Sequence, residues 1–372
     1  MATPLKDRFD RETVDLLTNR FSRFHEEFDA AAFSGALLAA FPRLELKDRI
    51  NLVADRLHDD LTDDYPSALS IVLEVADSGI DGWSAWPLCS FVERHGVEQP
   101  VISLEAMPEL TKHWSCEFAI RPFLENHLDL TRSYLRRWVL DPHEAVRRLP
   151  SEGTRPLLPW GPRVKALTAD PQIGLELLSA LRHDPSEAIR RSVANHLNDV
   201  SKSHPDLVVE VLSAWSDEAN PIDHRMIGHA LRTLVKQGHA GALALLGYTT
   251  NPEVKVVSFT CTPSPIDLGN HIELVAELTS SSEDDQRLVI DFVVHHVNAS
   301  GATSPKVFKW TTLNLAPDET VRITKRRMIQ TASTRRYHAE VHRIDLKVAG
   351  KELALTQFHL DEGSHREASD NR

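Results

Sequence analysis

Asp141-Pro142-His143-Glu144-Ala145-Val146-Arg147-Arg148 returns later in the chain as Asp184-Pro185-Ser186-Glu187-Ala188-Ile189-Arg190-Arg191, and Asn220-Pro221-Ile222-Asp223-His224-Arg225 is a looser echo. Asp or Asn followed by Pro stops one helix and starts another, with Pro expected at the first helical position and Glu in the first turn matching the positive end of the helix. Each unit therefore reads as a helical hairpin. The interval between the first two copies falls in the window of roughly 40–47 residues expected for HEAT-type repeats, whose stacked helix pairs form a curved solenoid with one concave face. Two helices of an ordinary bundle can look alike by chance, but here a capping signal, an apolar position and two basic residues coincide in one register.

From Asp10 to about Leu246 the apolar residues recur at helical spacing, as in Val14, Leu17, Phe21 and Phe24. Near Gly247 to Pro252 the period changes to two. Val254-Val256-Val257, Ile272-Leu274-Ala276-Leu278, Leu288-Ile290-Phe292-Val294 and Val307-Phe308-Trp310 read as strands separated by turn clusters. Short, regularly spaced strands suggest an immunoglobulin-like sandwich, and its single cysteine, Cys261, excludes the internal disulfide of antibody domains. The expected class is mainly α: a HEAT-like helical repeat solenoid over 1–250, an Ig-like β-sandwich over 251–361, and a polar tail over 362–372 that reads as disordered.

A chain of 372 residues exceeds the size of one ordinary core, which fits this division. Its net charge of −12 argues against a polyanionic partner only as an average. Asp59, Asp60, Asp63 and Asp64 lie early, whereas Arg132, Arg136, Arg137, Arg147, Arg148, Arg155, Arg163 and Lys165 crowd one later segment, so a local basic face is compatible with the total. Cys89, Cys116 and Cys261 are far apart, with neither disulfide nor zinc spacing. With no signal-like N-terminus and no run of about 20 apolar residues, the expectation is a soluble, cytoplasmic, nucleoid-associated monomer without a membrane partner.

The most informative stretch runs from Arg147 to Gly161, out of a repeat helix into a proline-rich corner. Pro156, Pro159 and Pro162 forbid a continuous helix and would hold Trp160 rigidly near Glu152 and Arg155, which stand three apart and share a face if the helix continues. A carboxylate, an aromatic plate and arginines suit the breaking of a glycosidic bond in DNA, because loss of the base develops positive charge on the sugar. Each residue also has a plainer use: Glu152 as a solvated partner of Arg155, Trp160 as a staple between repeats, the arginine pairs as solvated faces.

Three blocks go beyond spacing. The run VRRLPSEGTRPLLPWG, the run Ser115-Cys116-Glu117-Phe118-Ala119-Ile120-Arg121-Pro122-Phe123, and the run Arg190-Arg191-Ser192-Val193-Ala194-Asn195-His196-Leu197-Asn198-Asp199 together resemble the AlkC branch of HEAT-repeat DNA alkylation-repair glycosylases, related to the AlkD branch. The resemblance extends through the C-terminal β-domain, a hallmark of the AlkC branch. Leu157, where the family often has Arg, and Pro150, where it has a small residue, depart from the pattern.

The resemblance implies Glu117 and Glu152 as active-site carboxylates and Trp160 as the aromatic packing on the lesion's deoxyribose. It implies Arg121, Arg148, Arg155, Arg190, Arg191 and Asn198 as DNA-contacting or site-supporting residues. It further implies a monofunctional N-glycosylase of base excision repair that removes cationic N3-methyladenine and N3-methylcytosine from double-stranded DNA. Most glycosylases extrude the target base into a pocket; this family is implied to act on bent duplex without one, and without cofactor or metal. In the β-domain, Arg322, Lys325, Arg326, Arg327, Arg335, Arg336 and His338, with Tyr337 as an aromatic edge, are expected to touch DNA, the alternative being a domain that only caps the solenoid. The competing class for the whole chain is a non-catalytic repeat scaffold holding DNA or protein.

Overall fold

The computed structural model describes residues 4–218, 222–297, 301–330 and 337–361. Asn220 and Pro221 of the third echo, Arg335 and Arg336, and the tail 362–372 lie outside the described residues. The chain divides into two compact units, Met1–Ser203 and His204–Arg372.

The first unit is helical: α1 (Arg11–Phe24), α2 (Ala30–Ala40), α3 (Leu46–Leu61), α4 (Tyr65–Asp77), α5 (Trp86–His95), α6 (Pro100–His113), α7 (Ile120–Asn126), α8 (Leu128–Trp138), α9 (Glu144–Gly153), α10 (Lys165–Ala169), α11 (Gln172–Leu181) and α12 (Glu187–Val200). Helices α4, α6, α9 and α12 pack in succession as one layer, and α3, α5, α7, α8 and α11 follow one another in a second. The two copies of the octapeptide open α9 and α12, which lie side by side.

The local chemistry of the repeat differs from expectation in one respect. Pro142 and Pro185 precede the cap instead of opening the helix; His143 and Ser186 are the N-caps, accepting from the N–H groups of Ala145 and Ile189. The first arginine of each copy holds the turn. Arg147 Nη1 donates to the carbonyls of Asp141 and Pro142 at 3.0 and 2.9 Å, and Arg190 Nη1 donates to those of Asp184 and Pro185 at 2.6 and 2.9 Å. Arg147 also reaches Asp184 of the next copy at 2.7 and 3.1 Å, stitching the repeats together.

The second unit begins with α13 (Pro205–Ser216), α14 (His224–Ala230), α15 (Arg232–Gln237) and α16 (Ala240–Leu245). Among the described residues seven strands follow: β1 (Val254–Thr262), β2 (His271–Ser280), β3 (Gln286–Val297), β4 (Thr303–Leu315), β5 (Thr320–Met328), β6 (Val341–Val348) and β7 (Lys351–His359). They form antiparallel sheets in the orders β1-β2-β5 and β4-β3-β6-β7, an immunoglobulin-like sandwich. Ile272, Leu274, Leu288, Ile290, Phe292, Leu346 and Phe358 fill the space between the sheets, as alternation along each strand requires.

The helix-to-strand change falls where the period changes, but the compact units divide at Ser203, well before residue 250. The reason is apolar burial on the outer face of the larger sheet. Leu243 of α16 packs on Val289 and Ala349, and Thr249 N donates to Arg287 O at 2.8 Å. Gly238, at φ +76°, lies so close to Gly350 that a Cβ on either would strike the other's backbone.

Asp291 lies on the same outer face, paired across the ladders with Lys309 of β4 and Lys347 of β6. Burial pushes its carboxyl up to about 6, and Lys236, Lys309 and Lys347 only partly offset this. A carboxyl whose folded pKa lies above its unfolded value destabilises the fold progressively as pH rises from the unfolded to the folded pKa and fully above it, here by about 3 kcal/mol at neutral pH. Asp291→Asn is therefore expected to raise the unfolding midpoint at pH 7, with the gain shrinking towards zero below about pH 4. A midpoint that falls at pH 7, or a gain independent of pH, contradicts this.

Candidate active site

Glu117 and Glu152 come from different elements and meet through one arginine. The segment before α7 is pinned on either side of Glu117. Cys116 is buried with its N–H on Thr111 Oγ1 at 3.1 Å, and Phe118 stacks on Trp86 with ring centres 5.6 Å apart. Glu152 sits in the last turn of α9, only 5% exposed. Arg148, one turn earlier, donates from Nη1 to Glu117 Oε2 at 3.3 Å and lies 3.3 Å from Glu152 Oε2 through Nη2.

The two carboxylates have different company. Glu152 accepts from Arg155 Nη1 and from Ser192 Oγ of α12, each at 2.6 Å. Arg155 in turn donates from Nε to Asp199 at 2.9 Å, and Lys202 reaches Asp199 at 3.2 Å. Burial alone pushes the Glu152 carboxyl up, but Arg148 and Arg155, with the Ser192 and Arg155 hydrogen bonds, outweigh it and hold the group below the usual carboxylate range. Glu117 has Arg148 and Ser115 Oγ at 3.0 Å; its burial, reinforced by the charge of Glu152, exceeds what Arg148 returns, so its carboxyl is raised. Environments that separate two neighbouring carboxyls in this way are typical of catalytic pairs.

Two glycines allow the approach. A Cβ on Gly153 would stand 2.6 Å from Ile120 Cγ2, so only glycine lets the Glu117 segment lie against the end of α9. A Cβ on Gly174 of α11 would stand 2.5 Å from Nε2 of His196. Burial pulls His196 down to about 4, leaving the ring neutral at pH 7, and its Nδ1, carrying the proton, donates to Ser151 O at 3.0 Å.

Trp160 projects from the proline corner with 59% of its surface exposed and a backbone φ of +62°, a strained conformation for a bulky residue. Its carbonyl accepts from Lys47 Nζ at 3.0 Å. The corner is also held by Arg121, which is 1% exposed and donates to the carbonyls of Pro162, Gly153 and Arg155 at 2.6, 2.8 and 3.0 Å.

The structure thus brings Glu117, Arg148, Glu152 and Arg155 together. Several residues of the helical unit expected at a DNA surface have internal positions. Arg121 and Asn198 are buried and Arg190 closes a turn, whereas Arg191 is exposed, paired with Glu187 at 2.7 Å. Arg132 and Arg136 both meet Glu176, which neutralises part of the basic segment. In the β-domain Arg322 and Arg326 stand opposite Glu277 and Glu273, Arg327 lies 3.7 Å over the Phe308 ring, and Tyr337 packs against the sandwich core instead of presenting an edge. Sequence reasoning missed Lys47, Ser192, His196, Asp199 and both glycines as parts of the site. Gly153 stands directly after Glu152, and Ser192, His196 and Asp199 lie in the Arg190–Asp199 run, which carried the resemblance without assigning those three a role.

A half-buried Glu117 and a buried Glu152 bridged by Arg148, on a helical unit that also carries the exposed, strained Trp160 and is followed by an Ig-like one, make a candidate active site. Residues 109–234 match the family model described as DNA alkylation repair enzyme, and residues 255–362 match that of the C-terminal Ig-like domain of the uncharacterised protein YhaZ. The chain is 34% identical over 357 residues to the uncharacterised protein YhaZ of Bacillus subtilis (strain 168), covering 96% of this chain and 99% of the relative. It is also similar to the solved structure of the Pseudomonas fluorescens alkylpurine DNA glycosylase AlkC bound to DNA containing an abasic site analog, with a TM-score of 0.90, 33% identity, and coverage of 96% and 99% of the two chains. The chain belongs to the DNA alkylation repair enzyme family, in its AlkC-type branch.

The glycine contacts predict opposite signs for one kind of substitution. Gly35→Ala in α2, where a Cβ meets nothing within 4 Å, should stabilise by about 0.5–1 kcal/mol. Gly153→Ala and Gly174→Ala should destabilise by about 1–3 kcal/mol through overpacking. Urea midpoints of the three variants decide; a common direction of shift would contradict the packing described.

Proposed function

We propose that this protein is a monofunctional DNA glycosylase that hydrolyses the N-glycosidic bond of N3-methyladenine and N3-methylcytosine in duplex DNA. The observation that carries the reading is the pair Glu117 and Glu152, bridged by Arg148 and lying in the same segment-to-segment junction as the Trp160 corner. AlkC, by its description an alkylpurine DNA glycosylase, supports the same chemistry at comparable length.

An N3-methylated base carries a positive charge and leaves as a neutral molecule when the C1′–N bond breaks, so no general acid is required. The electron pair goes to the base and positive charge passes to the sugar. Glu152, held ionised by two arginines, and Glu117 stabilise that oxocarbenium-like charge. Water then adds at C1′ and loses a proton, leaving an abasic site and the free base. Trp160 packs on the deoxyribose; its exposure and fixed backbone suit a plate that holds a sugar without moving. Arg148, Arg155, Arg121 and Asn198 act by positioning these groups, and Arg191 is the member of the repeat motifs best exposed for a phosphate.

Release of methylated bases from alkylated duplex DNA, resolved by chromatography, tests the reading. Wild type should release N3-methyl bases, while Glu152→Gln and Glu117→Gln, shown folded by circular dichroism, should each lose about 10²–10³-fold in single-turnover rate. No release by folded wild type would favour a binding scaffold; full activity in both variants would place the chemistry elsewhere.

A further inference from the structure

The outer face of the four-stranded sheet carries a cleft that the glycosylase reading does not use. Val289 and Asp291 of β3 lie in it, α14 and α15 form a wall with Arg232 and Lys236, and Tyr248, Arg287 and Lys309 complete the lining. It encloses about 350 Å³, within the range of roughly 300–1,000 Å³ for small-ligand pockets.

Two features set it apart from an ordinary charged surface. Asp291 is only 2% exposed yet lines the cleft, and its carboxylate has no hydrogen-bond or ion-pair partner among the described residues. Buried polar groups are almost always satisfied, so a carboxylate left open towards a cavity points to a donor supplied from outside. The rim, by contrast, is cationic on a chain of net charge −12. Lys236 and Lys309 make no salt bridge among the described residues and only partly offset the charge of Asp291, and the Arg287 guanidinium lies 4.9 Å over the Tyr248 ring while donating to Leu246 O at 3.2 Å. A ligand that satisfies both parts has an anionic group for the rim, a planar ring for the Tyr248 and Arg287 platform, and an N–H donor for Asp291.

We propose that this cleft binds a nucleotide, its phosphate held by Lys236, Arg287 and Lys309, its base against Tyr248 and Arg287, and a base amino group donating to Asp291. The phosphate alone would leave Asp291 unanswered and facing an anion; a nucleoside alone would leave the cations unanswered. The site is independent of Glu117 and Glu152, and a failure of the glycosylase reading leaves it standing.

Calorimetric titration of the full chain with dAMP, deoxyadenosine and inorganic phosphate tests it. Saturable binding of dAMP is expected, with the nucleoside and inorganic phosphate each weaker by about tenfold or more. Lys309→Glu and Asp291→Asn should each weaken dAMP by a similar factor while base excision is unchanged; the second variant is expected to fold at least as well as wild type. Competition by a 5′-phosphorylated oligonucleotide would assign the site to a strand end, and its absence to a free nucleotide. No saturable dAMP binding, inorganic phosphate binding as tightly as dAMP, or affinity untouched by both variants would overturn the proposal.

Discussion

Arg148 divides one guanidinium between two carboxylates, Glu152 buried and Glu117 half-buried, that would otherwise repel. Without it, Glu117 and Glu152 would each face a like charge in a poorly solvated place, and one would take a proton. With it, Glu152 remains an anion and Glu117 is raised but attached. The surrounding architecture serves that three-body arrangement. Gly153 lets the Glu117 segment close on α9, Ser192 and Arg155 complete the Glu152 shell, and Asp199 with Lys202 fixes Arg155. Fully connected polar networks of this kind hold a geometry well, but they tolerate little loss, since each member leaves another unpaired.

The repeated octapeptide separates structural from functional arginine. Its first arginine bonds the carbonyls of its own Asp-Pro turn in both copies, so that residue belongs to the repeat. Its second is free to differ. In α9 it bridges Glu117 and Glu152, whereas in α12 it lies exposed beside Glu187. A repeat framework can in this way place one unusual residue in one copy without disturbing the stack that carries it.

Much of the fold was legible because it rests on local signals: helical spacing, the Asp-Pro turns, and the change to period two near Gly247. The membership of α13 to α16 was not, since it depends on Leu243 meeting Val289 and Ala349, contacts between residues far apart in sequence that carry no local mark. At the candidate site Glu152 and Trp160 stood out from the proline-rich corner itself, Glu117 was named on resemblance alone, and the fates of the arginines were open. Whether an arginine faces solvent, a turn carbonyl or a carboxylate is decided by neighbours from other elements, as Arg121 illustrates by burying itself in the proline corner. His196 carried no signal, because its role depends on the gap left by Gly174 one helix away.

The central claim is that the Arg148-bridged pair carries the excision chemistry, and the pH dependence of single-turnover excision tests it most directly. Activity that needs both anions should fall as pH drops through the raised Glu117 group, giving an acid limb above the ordinary glutamate value of about 4.3. Replacing Arg148 with Met removes the cation that lowers both groups, so the limb should move to higher pH along with a loss of rate. A limb at the ordinary value that does not move in Arg148→Met would contradict the account.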